Sequence, residues 1–201
     1  MTTSEIEPEA RIPLLDDEAA AAVSAEVRIP KFVADLNIFR ATMHRPKLAR
    51  ALNLLGAVLL QGDVSTRPDS EKPALDPRLR ELAIMRVGWL TKSNYEWTQH
   101  WRIARGIGVP AEDLIAVRDW RSSELLSDED KTVLAAVDET LGGDAISDET
   151  WSALSSFLAD DALVELTVVI GHWLMVSTML RSLRVPLEEG VEAWPPDGTK
   201  P

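Results

Sequence analysis

Three ionisable side chains in one short stretch of the chain could carry out proton transfer. Glu96 and His100 stand four residues apart in the segment SNYEWTQH, residues 93–100. On a helix, positions four apart lie about 5–6 Å from each other at Cβ, so the carboxyl group can orient or charge the imidazole. An imidazole held by a carboxylate at the rim of a protein is a competent general acid or base near neutral pH. The same pair can also be a boundary contact without chemistry.

The third side chain, Glu81, falls on the apolar side of its helix. Its neighbours at 100° per residue are apolar: Ile84, Met85 and Gly88. We therefore expect a buried carboxyl group, which needs a partner or a raised pKa. Gly88 on the same face allows another backbone or a ligand to come close. The alternative to a functional role is a structural ion pair with an arginine such as Arg86 or Arg105.

The remaining histidines and the tryptophans have simpler interpretations. His172 lies in the most apolar stretch, so we expect a core histidine with satisfied hydrogen bonds; the alternative is that it lines the same site. Glu165, two turns earlier on the same face, is about 10 Å away along the axis and too far to bond it. His44 suits a helix C-terminus. The tryptophans stand at helical spacing with aliphatic residues, which favours packing or subunit contact over a substrate cage.

The composition excludes several classes of chemistry. The chain has 201 residues and no cysteine, which removes disulfides, thiolate catalysis, CxxC redox chemistry and cysteine zinc sites. Its three histidines form no H-E-x-x-H metal motif, and nucleotide-binding glycine fingerprints are absent. The net charge of −12 argues against nucleic-acid and anionic-membrane partners. The N-terminus lacks the apolar stretch of a signal peptide and no apolar run is of membrane-spanning length, so we expect a cytoplasmic protein.

Helical periodicity dominates the chain, and almost no strand pattern is present. The predicted helices cover residues 15–27, 31–45, 46–61, 77–90, 94–105, 111–120, 127–141, 147–158 and 161–183. Asp76 and Pro77 have the residue types of a helix start, and Ser127 with Asp130 resembles a capping box. The last helix is apolar nearly all round, which predicts a central position.

The domain organisation follows from the same pattern. We expect a flexible acidic arm over residues 1–13, a single helical domain over 14–192 and an extended tail over 193–201, with a polar loop at 62–74. Residues 78–90 and 162–174 share Leu, Glu-Leu and Trp-Leu at matching offsets. A duplicated helical hairpin would explain this echo, and a chance match between short apolar helices is the alternative.

Three segments of the chain resemble the carboxymuconolactone decarboxylase family, whose superfamily also contains the alkylhydroperoxidase D-like peroxidases. They are RELAIMRVGWLTKSNYEWTQHWRIARGIGV (80–109), NIFRATMHRPKLARALNLLGAVLL (37–60) and GHWLMVSTMLRSLRVPLEEGVE (171–192). The resemblance covers about residues 30–192. It implies an all-α, alkylhydroperoxidase D-like bundle of about eight helices. Such proteins are commonly homo-oligomers, so it also implies a trimer or hexamer, with a dimer left open.

The peroxidase branch of that superfamily carries Glu, then two cysteines as CxxC, then His. Aligned on His100, the second cysteine falls at Glu96, the first at Ser93 and the acid at Glu81; Tyr95 stands where that branch often has another His. Glu81 and His100 therefore match the proton-relay pair, while both sulfur atoms are missing. Thiol peroxidase chemistry needs one thiolate to attack the peroxide and a second thiol to resolve the product. The resemblance does not extend to that activity.

The resemblance then implies a cofactor-free enzyme acting on a small organic acid or lactone by decarboxylation, isomerisation or lactone opening. The expected catalytic residues are Glu81, Glu96 and His100, and the expected pocket residues are Ser93, Tyr95, Trp97 and His172. No cofactor is expected; a metal held by the three catalytic side chains stays open. The alternatives are a non-catalytic binding or scaffold member of the family and a residual peroxidase-type antioxidant protein.

Overall fold

The computed structural model describes residues 10–60 and 73–201, and most of the predicted acidic arm and of the predicted 62–74 loop lies outside them. All regular structure within the described ranges is helical, as the sequence predicts. The helices are α1 (Asp17–Val27), α2 (Lys31–Ala34), α3 (Asn37–Thr42), α4 (Pro46–Leu59), α5 (Pro77–Leu90), α6 (Asn94–Gly106), α7 (Ala111–Ala116), α8 (Asp128–Leu141), α9 (Asp148–Leu154) and α10 (Asp160–Leu183), with a 3-10 helix at Val117–Ser122.

Helix starts follow the predicted capping chemistry. The Asp76 side chain accepts hydrogen bonds from the N–H groups of Arg78 and Leu79, and Pro77 occupies the first turn of α5. Ser127 caps α8, and the Asp130 side chain bonds back to the backbone of Ser127, so the capping box is complete. These bonds satisfy amide groups that a helix leaves free at its N-terminus.

Two predicted helices are each broken by tertiary hydrogen bonds. The predicted helix 31–45 divides into α2 and α3, because Asn37 bonds instead to Pro186, Leu187 and Glu188. The predicted helix 111–120 ends at α7 and continues as the 3-10 helix. There Arg86 Nη1 donates hydrogen bonds to the carbonyl oxygens of Val117 and Arg118, at 2.8 and 2.9 Å.

The chain divides into two compact units. One comprises Met1–Leu55 with Met179–Val191, and the other comprises Gly56–Thr178 with Glu192–Pro201. The first unit has a small core of its own between α1 and α4, which includes Ala20, Val27, Ile29, Ala34, Met43 and Ala49.

The second unit is built around α5, which packs against both α6 and α8. Every α5 residue from Leu79 to Gly88 is buried, including Arg80, Glu81 and Arg86. A helix that is enclosed on all sides can carry charges only where partners satisfy them. The buried polar groups of α5 are therefore candidates for a functional site.

The helix predicted to be central, α10, is enclosed on one face only: that face packs into a hydrophobic core and another face is exposed. Along α10, several apolar side chains are exposed to solvent: Val164, Val168 and Met175 are 63%, 39% and 47% exposed. By length and composition α10 could cross a membrane, and half of its apolar window is buried inside the protein. The same test is passed by core helices, so this carries no membrane assignment.

Candidate active site

The hairpin of α5 and α6 brings the three predicted catalytic residues together. The chain turns between the helices at Lys92, whose φ is 57°, and Ser93 N–H bonds to the carbonyl of Gly88 at 2.9 Å. A Cβ atom on Gly88 would lie 3.1 Å from the backbone nitrogen of Trp97 and 3.6 Å from Cβ of Glu96. The prediction that Gly88 permits a close approach is confirmed, and the group that approaches is the backbone of α6.

Gly88→Ala is expected to lower the free energy of unfolding by about 1–3 kcal/mol, because α6 has to move away from α5. Urea denaturation measures this directly. The matched control is Gly56→Ala in α4, where an added Cβ meets nothing within 4 Å. Alanine has the higher helix propensity, so the control should be neutral or stabilising. Equal effects of the two substitutions would contradict the close contact.

Glu81 and His100 form the inner part of the site. Glu81 is completely buried, and its Oε2 atom lies 2.8 Å from Nδ1 of His100. His100 is only 4% exposed, so the predicted position at a rim was wrong. On its other side, Nε2 of His100 lies 2.7 Å from the indole nitrogen of Trp173 on α10. The imidazole is thus held at both nitrogens.

The predicted ion-pair partners of Glu81 were wrong, because its partner is Arg80. The Arg80 Nε atom is 3.0 Å from Glu81 Oε1, and both side chains are buried. Arg80 also donates to the carbonyl of Leu59. Neighbours in sequence point away from each other on an ideal helix, so helical spacing does not suggest this pair. The long arginine side chain makes it possible.

The arginines considered from the sequence are engaged elsewhere. Arg86 forms an ion pair with Asp138 at 2.7 Å, and Arg105 donates to the carbonyl of Val109. Each therefore stabilises its own part of the second unit. Glu81 is left with one cation and one imidazole as its hydrogen-bond donors.

Glu96 is the group whose acidity is most altered. Its side chain is 5% exposed, and its Oε2 atom lies 3.5 Å from Nε2 of His100. The pKa of Glu96 is raised from 4.5 to about 7; burial is the main cause and Glu81 adds to it, whereas His100 and Trp173 act in the opposite direction. The predicted approach of Glu96 to His100 is present, while Glu81 and Trp173 bond to the two ring nitrogens. A carboxyl group with this pKa is divided between its two forms near neutral pH.

Trp173 was missed as a site residue by the sequence reasoning. The sequence offered one signal for it: in the similarity between residues 78–90 and 162–174, Trp173 corresponds to Trp89. The two tryptophans have different surroundings. Trp173 bonds to His100, and Trp89 packs against Trp97 at 5.2 Å between ring centroids.

The predicted pocket residues divide between the site and its surroundings. Ser93 is 1% exposed, and none of the described residues bonds to its hydroxyl oxygen. Tyr95 is buried as well. Trp97 faces an aromatic cluster and donates its indole N–H to the carbonyl of Pro195 at 2.7 Å. Trp97 therefore fastens the C-terminal tail to α6 and uses its only polar atom there.

His172 lies next to the site without a bond into it. Its ring packs edge-on against Trp173 with 4.8 Å between centroids. Burial lowers the pKa of His172, and nearby His100 lowers it further. Its Nδ1 atom is buried and has no partner in the described part of the chain, so the expectation of a satisfied core histidine was wrong. Glu165 is not its partner, as predicted, and accepts from the N–H groups of Ala74 and Leu75.

The three acid–base side chains are buried among the described residues. Two cavities of about 610 and 630 Å³ lie elsewhere in the described part of the chain, the first beside Arg78 and Phe157 and the second beside Asp17 and Arg40. Within residues 10–60 and 73–201, no group of three His, Asp or Glu side chains has the arrangement to hold a metal ion.

Comparison with known proteins agrees with this arrangement. The sequence profile of the carboxymuconolactone decarboxylase family matches residues 46–139, the stretch that contains α5, α6 and the three acid–base residues. This stretch of the chain is similar to that family. With no cysteine, the chain lacks the CxxC motif. No curated protein sequence is a significant match.

Solved structures share the alkylhydroperoxidase D-like fold. A peroxidase-related protein of Ralstonia eutropha JMP134 with an alkylhydroperoxidase AhpD core has a TM-score of 0.71 at 14% identity over 90% of this chain and 94% of its own. A peroxidase-related protein of Silicibacter sp. TM1040 has 0.70 at 14% identity over 95% and 97%. The debrominase Bmp8 has 0.69 at 15% identity over 90% and 94%. At these identities the similarity shows the fold alone.

Proposed function

We propose that this protein is a cofactor-free acid–base enzyme that acts on a small organic acid or lactone next to a carbonyl group. The reaction would be decarboxylation, isomerisation or lactone opening. Glu96 gives or takes the proton, and His100 and Glu81 hold the charge behind it. From the sequence we expected His100 to be the general acid or base; the burial of Glu96 beside His100 favours Glu96 for that role.

The observation that carries this proposal is the buried Glu96 carboxyl group beside His100, with a pKa of about 7. A general acid or base works best when its pKa is near the working pH, because both protonation states are then populated. The apolar surroundings strengthen interactions with charge that develops on a substrate. Ser93, one turn before Glu96, adds a buried hydroxyl group that bonds to none of the described residues.

Thiol peroxidase activity does not fit these residues. The positions that match the two family cysteines carry Ser93 and Glu96, neither of which can form a disulfide with a resolving thiol. We expect no peroxide consumption by the purified protein, with or without added thiol. The debrominase relative shares the fold, and its activity is not carried over.

A second candidate function is a non-catalytic binding or scaffold protein. It is favoured by the enclosure of the site, since Glu81, Glu96 and His100 are 0%, 4% and 4% exposed. In that case the three residues are a structural network. Substituting them would lower the melting temperature, and no substrate would be converted.

A screen of small lactones, carboxylated lactones and β-keto acids tests the proposed reaction. Purified protein is incubated with each compound without thiol, metal or nucleotide, and substrate loss is followed by mass spectrometry. Conversion that requires Glu96 and changes with a midpoint near pH 7 supports the enzyme. Full activity of His100→Ala on an identified substrate, or conversion equal to that of heat-denatured protein across the panel, would contradict it.

We further expect a cytoplasmic homo-oligomer, a trimer or hexamer with a dimer also open, with no nucleic-acid or membrane partner. The exposed apolar residues of α10 recur at intervals of three and four residues, the spacing of helix–helix contacts. They are Val164, Val168, Gly171 and Met175. A second subunit would bury this face.

Val168→Asp combined with Met175→Asp is expected to reduce the solution mass toward the single chain of 22.2 kDa, because two charges would be buried without partners. Light scattering coupled to size exclusion measures the mass. Leu125→Asp is the control, since Leu125 is exposed outside α10. An unchanged mass in the double variant would show that α10 is not the contact.

A further inference from the structure

Trp173 makes a contact that determines the chemistry of the site. Its indole nitrogen lies 2.7 Å from Nε2 of His100, and both groups are buried. An indole N–H can donate a hydrogen bond and cannot accept one. Nε2 of His100 is therefore the acceptor, and its lone pair is occupied. The proton of the neutral imidazole has to reside on Nδ1, which faces Glu81 at 2.8 Å.

We propose that Trp173 is the positioning residue of this site: its indole N–H occupies Nε2 of His100 and thereby keeps the transferable proton on Glu96. Without the indole N–H, Nε2 would be the nearest base to Glu96, at 3.5 Å. Protonation of Nε2 would give an imidazolium ion between two carboxylates, Glu81 and Glu96. The indole N–H of Trp173, which occupies Nε2, opposes that arrangement.

Glu96 is also within the influence of the same indole N–H. A hydrogen-bonding interaction from Trp173 lowers the pKa of Glu96. The N–H group bonded to the imidazole nitrogen therefore also influences the carboxyl group. When Glu96 is ionised it competes more strongly for the N–H, because hydrogen bonds to charged groups are the stronger ones. The indole signal should therefore respond to the charge of Glu96.

The surroundings of Trp173 fix the direction of its N–H. His100 and His172 both meet the indole ring edge-on, with centroid distances of 5.2 and 4.8 Å. The charged and titratable groups that face this cluster are Arg80 and Glu81 on α5, Glu96 and His100 on α6, and His172 on α10. Arg80 is paired with Glu81, and burial lowers the pKa of His172.

The catalytic meaning of this contact rests on the proposed function, but the position of the proton does not. Nuclear magnetic resonance reads the proton without any substrate. A protein that converts no compound and still shows the expected resonances would refute the proposed reaction and leave the role of Trp173 intact. A protein that converts a compound and lacks those resonances would support the proposed reaction and refute the role of Trp173.

The experiment uses the full chain labelled with 15N-histidine at pH 6, where most Glu96 side chains are protonated. The three histidine signals are assigned with His44→Gln and His172→Gln variants. In the wild type, we expect His100 with a proton on Nδ1 and none on Nε2. In Trp173→Phe, the Nε2 resonance should move into the protonated range as the proton leaves Glu96.

Trp120→Phe is the matched control, because it also removes a buried indole N–H that bonds to a side chain, here Asp138 at 3.1 Å. It should leave the His100 resonances unchanged. A second measurement covers the case in which Trp173→Phe does not fold: one of the seven indole N–H signals of the wild type should titrate near pH 7 and become pH-independent in Glu96→Gln. Unchanged His100 resonances in folded Trp173→Phe, or no titrating indole signal, would overturn the proposal.

Discussion

Glu81→Ala is expected to lower the free energy of unfolding by about 3–5 kcal/mol. The substitution leaves the Arg80 guanidinium group buried, at 2% exposure, without its carboxylate. It also removes the acceptor of the His100 Nδ1 bond. A buried charge that loses its only ionic partner is among the most costly defects in a folded protein. Urea denaturation at pH 7 measures the loss.

Two further variants separate the ion pair from ordinary packing. Arg121→Ala removes an ion pair with Asp138 in which the arginine side chain is 63% exposed, and should cost less than about 1 kcal/mol. Arg80→Met combined with Glu81→Leu replaces both charges by apolar groups and should recover part of the lost stability. A loss below about 1 kcal/mol for Glu81→Ala would contradict a buried, mutually dependent pair.

Glu96→Gln is expected to reduce turnover at least 10²-fold on any substrate that the enzyme converts, because an amide cannot transfer the proton. The amide keeps the size and hydrogen-bonding shape of the side chain, so the fold should remain. The measurement compares kcat and KM of the variant with those of the wild type. A fall in kcat with little change in KM places Glu96 in the chemical step.

The same variant should raise stability at alkaline pH. The folded-state pKa of Glu96, about 7, is above its ordinary value of 4.5, so folding takes up a proton between these pH values. Wild-type stability therefore falls as pH rises through that window. Glutamine has no such loss, so the variant should gain up to about 3 kcal/mol over the wild type between pH 4 and pH 8. A difference that does not change with pH would contradict a raised pKa.

The helical hairpin could be predicted because local chemistry determines it. Asp76 and Pro77 start α5 with bonds that reach only a few residues along the chain. The apolar neighbours of Glu81 predicted its burial, and the family pattern placed Glu81 and His100 together. These features depend on periods of 3.6 residues or on a specific motif.

The rest of the site depends on contacts that the helical periodicity of the sequence does not predict. Trp173 comes from a helix 73 residues further along the chain than His100. Arg80 reaches Glu81 from an adjacent position, where helical geometry suggests no contact. The burial of His100 follows from packing between helices, and the sequence showed only that it borders an apolar stripe. Long-range packing also decided that α5, with its charges satisfied inside the unit, is enclosed while α10 keeps an exposed apolar face.

The pKa of Glu96 is the quantity on which the proposed chemistry depends most directly. Infrared difference spectra between wild type and Glu96→Gln isolate the C=O stretching band of this one protonated carboxyl group. Recorded from pH 4 to pH 9, the band should disappear with a midpoint near pH 7. A midpoint near the ordinary value of 4.5 would show an ionised Glu96 at neutral pH and would contradict its assignment as the proton-transfer group.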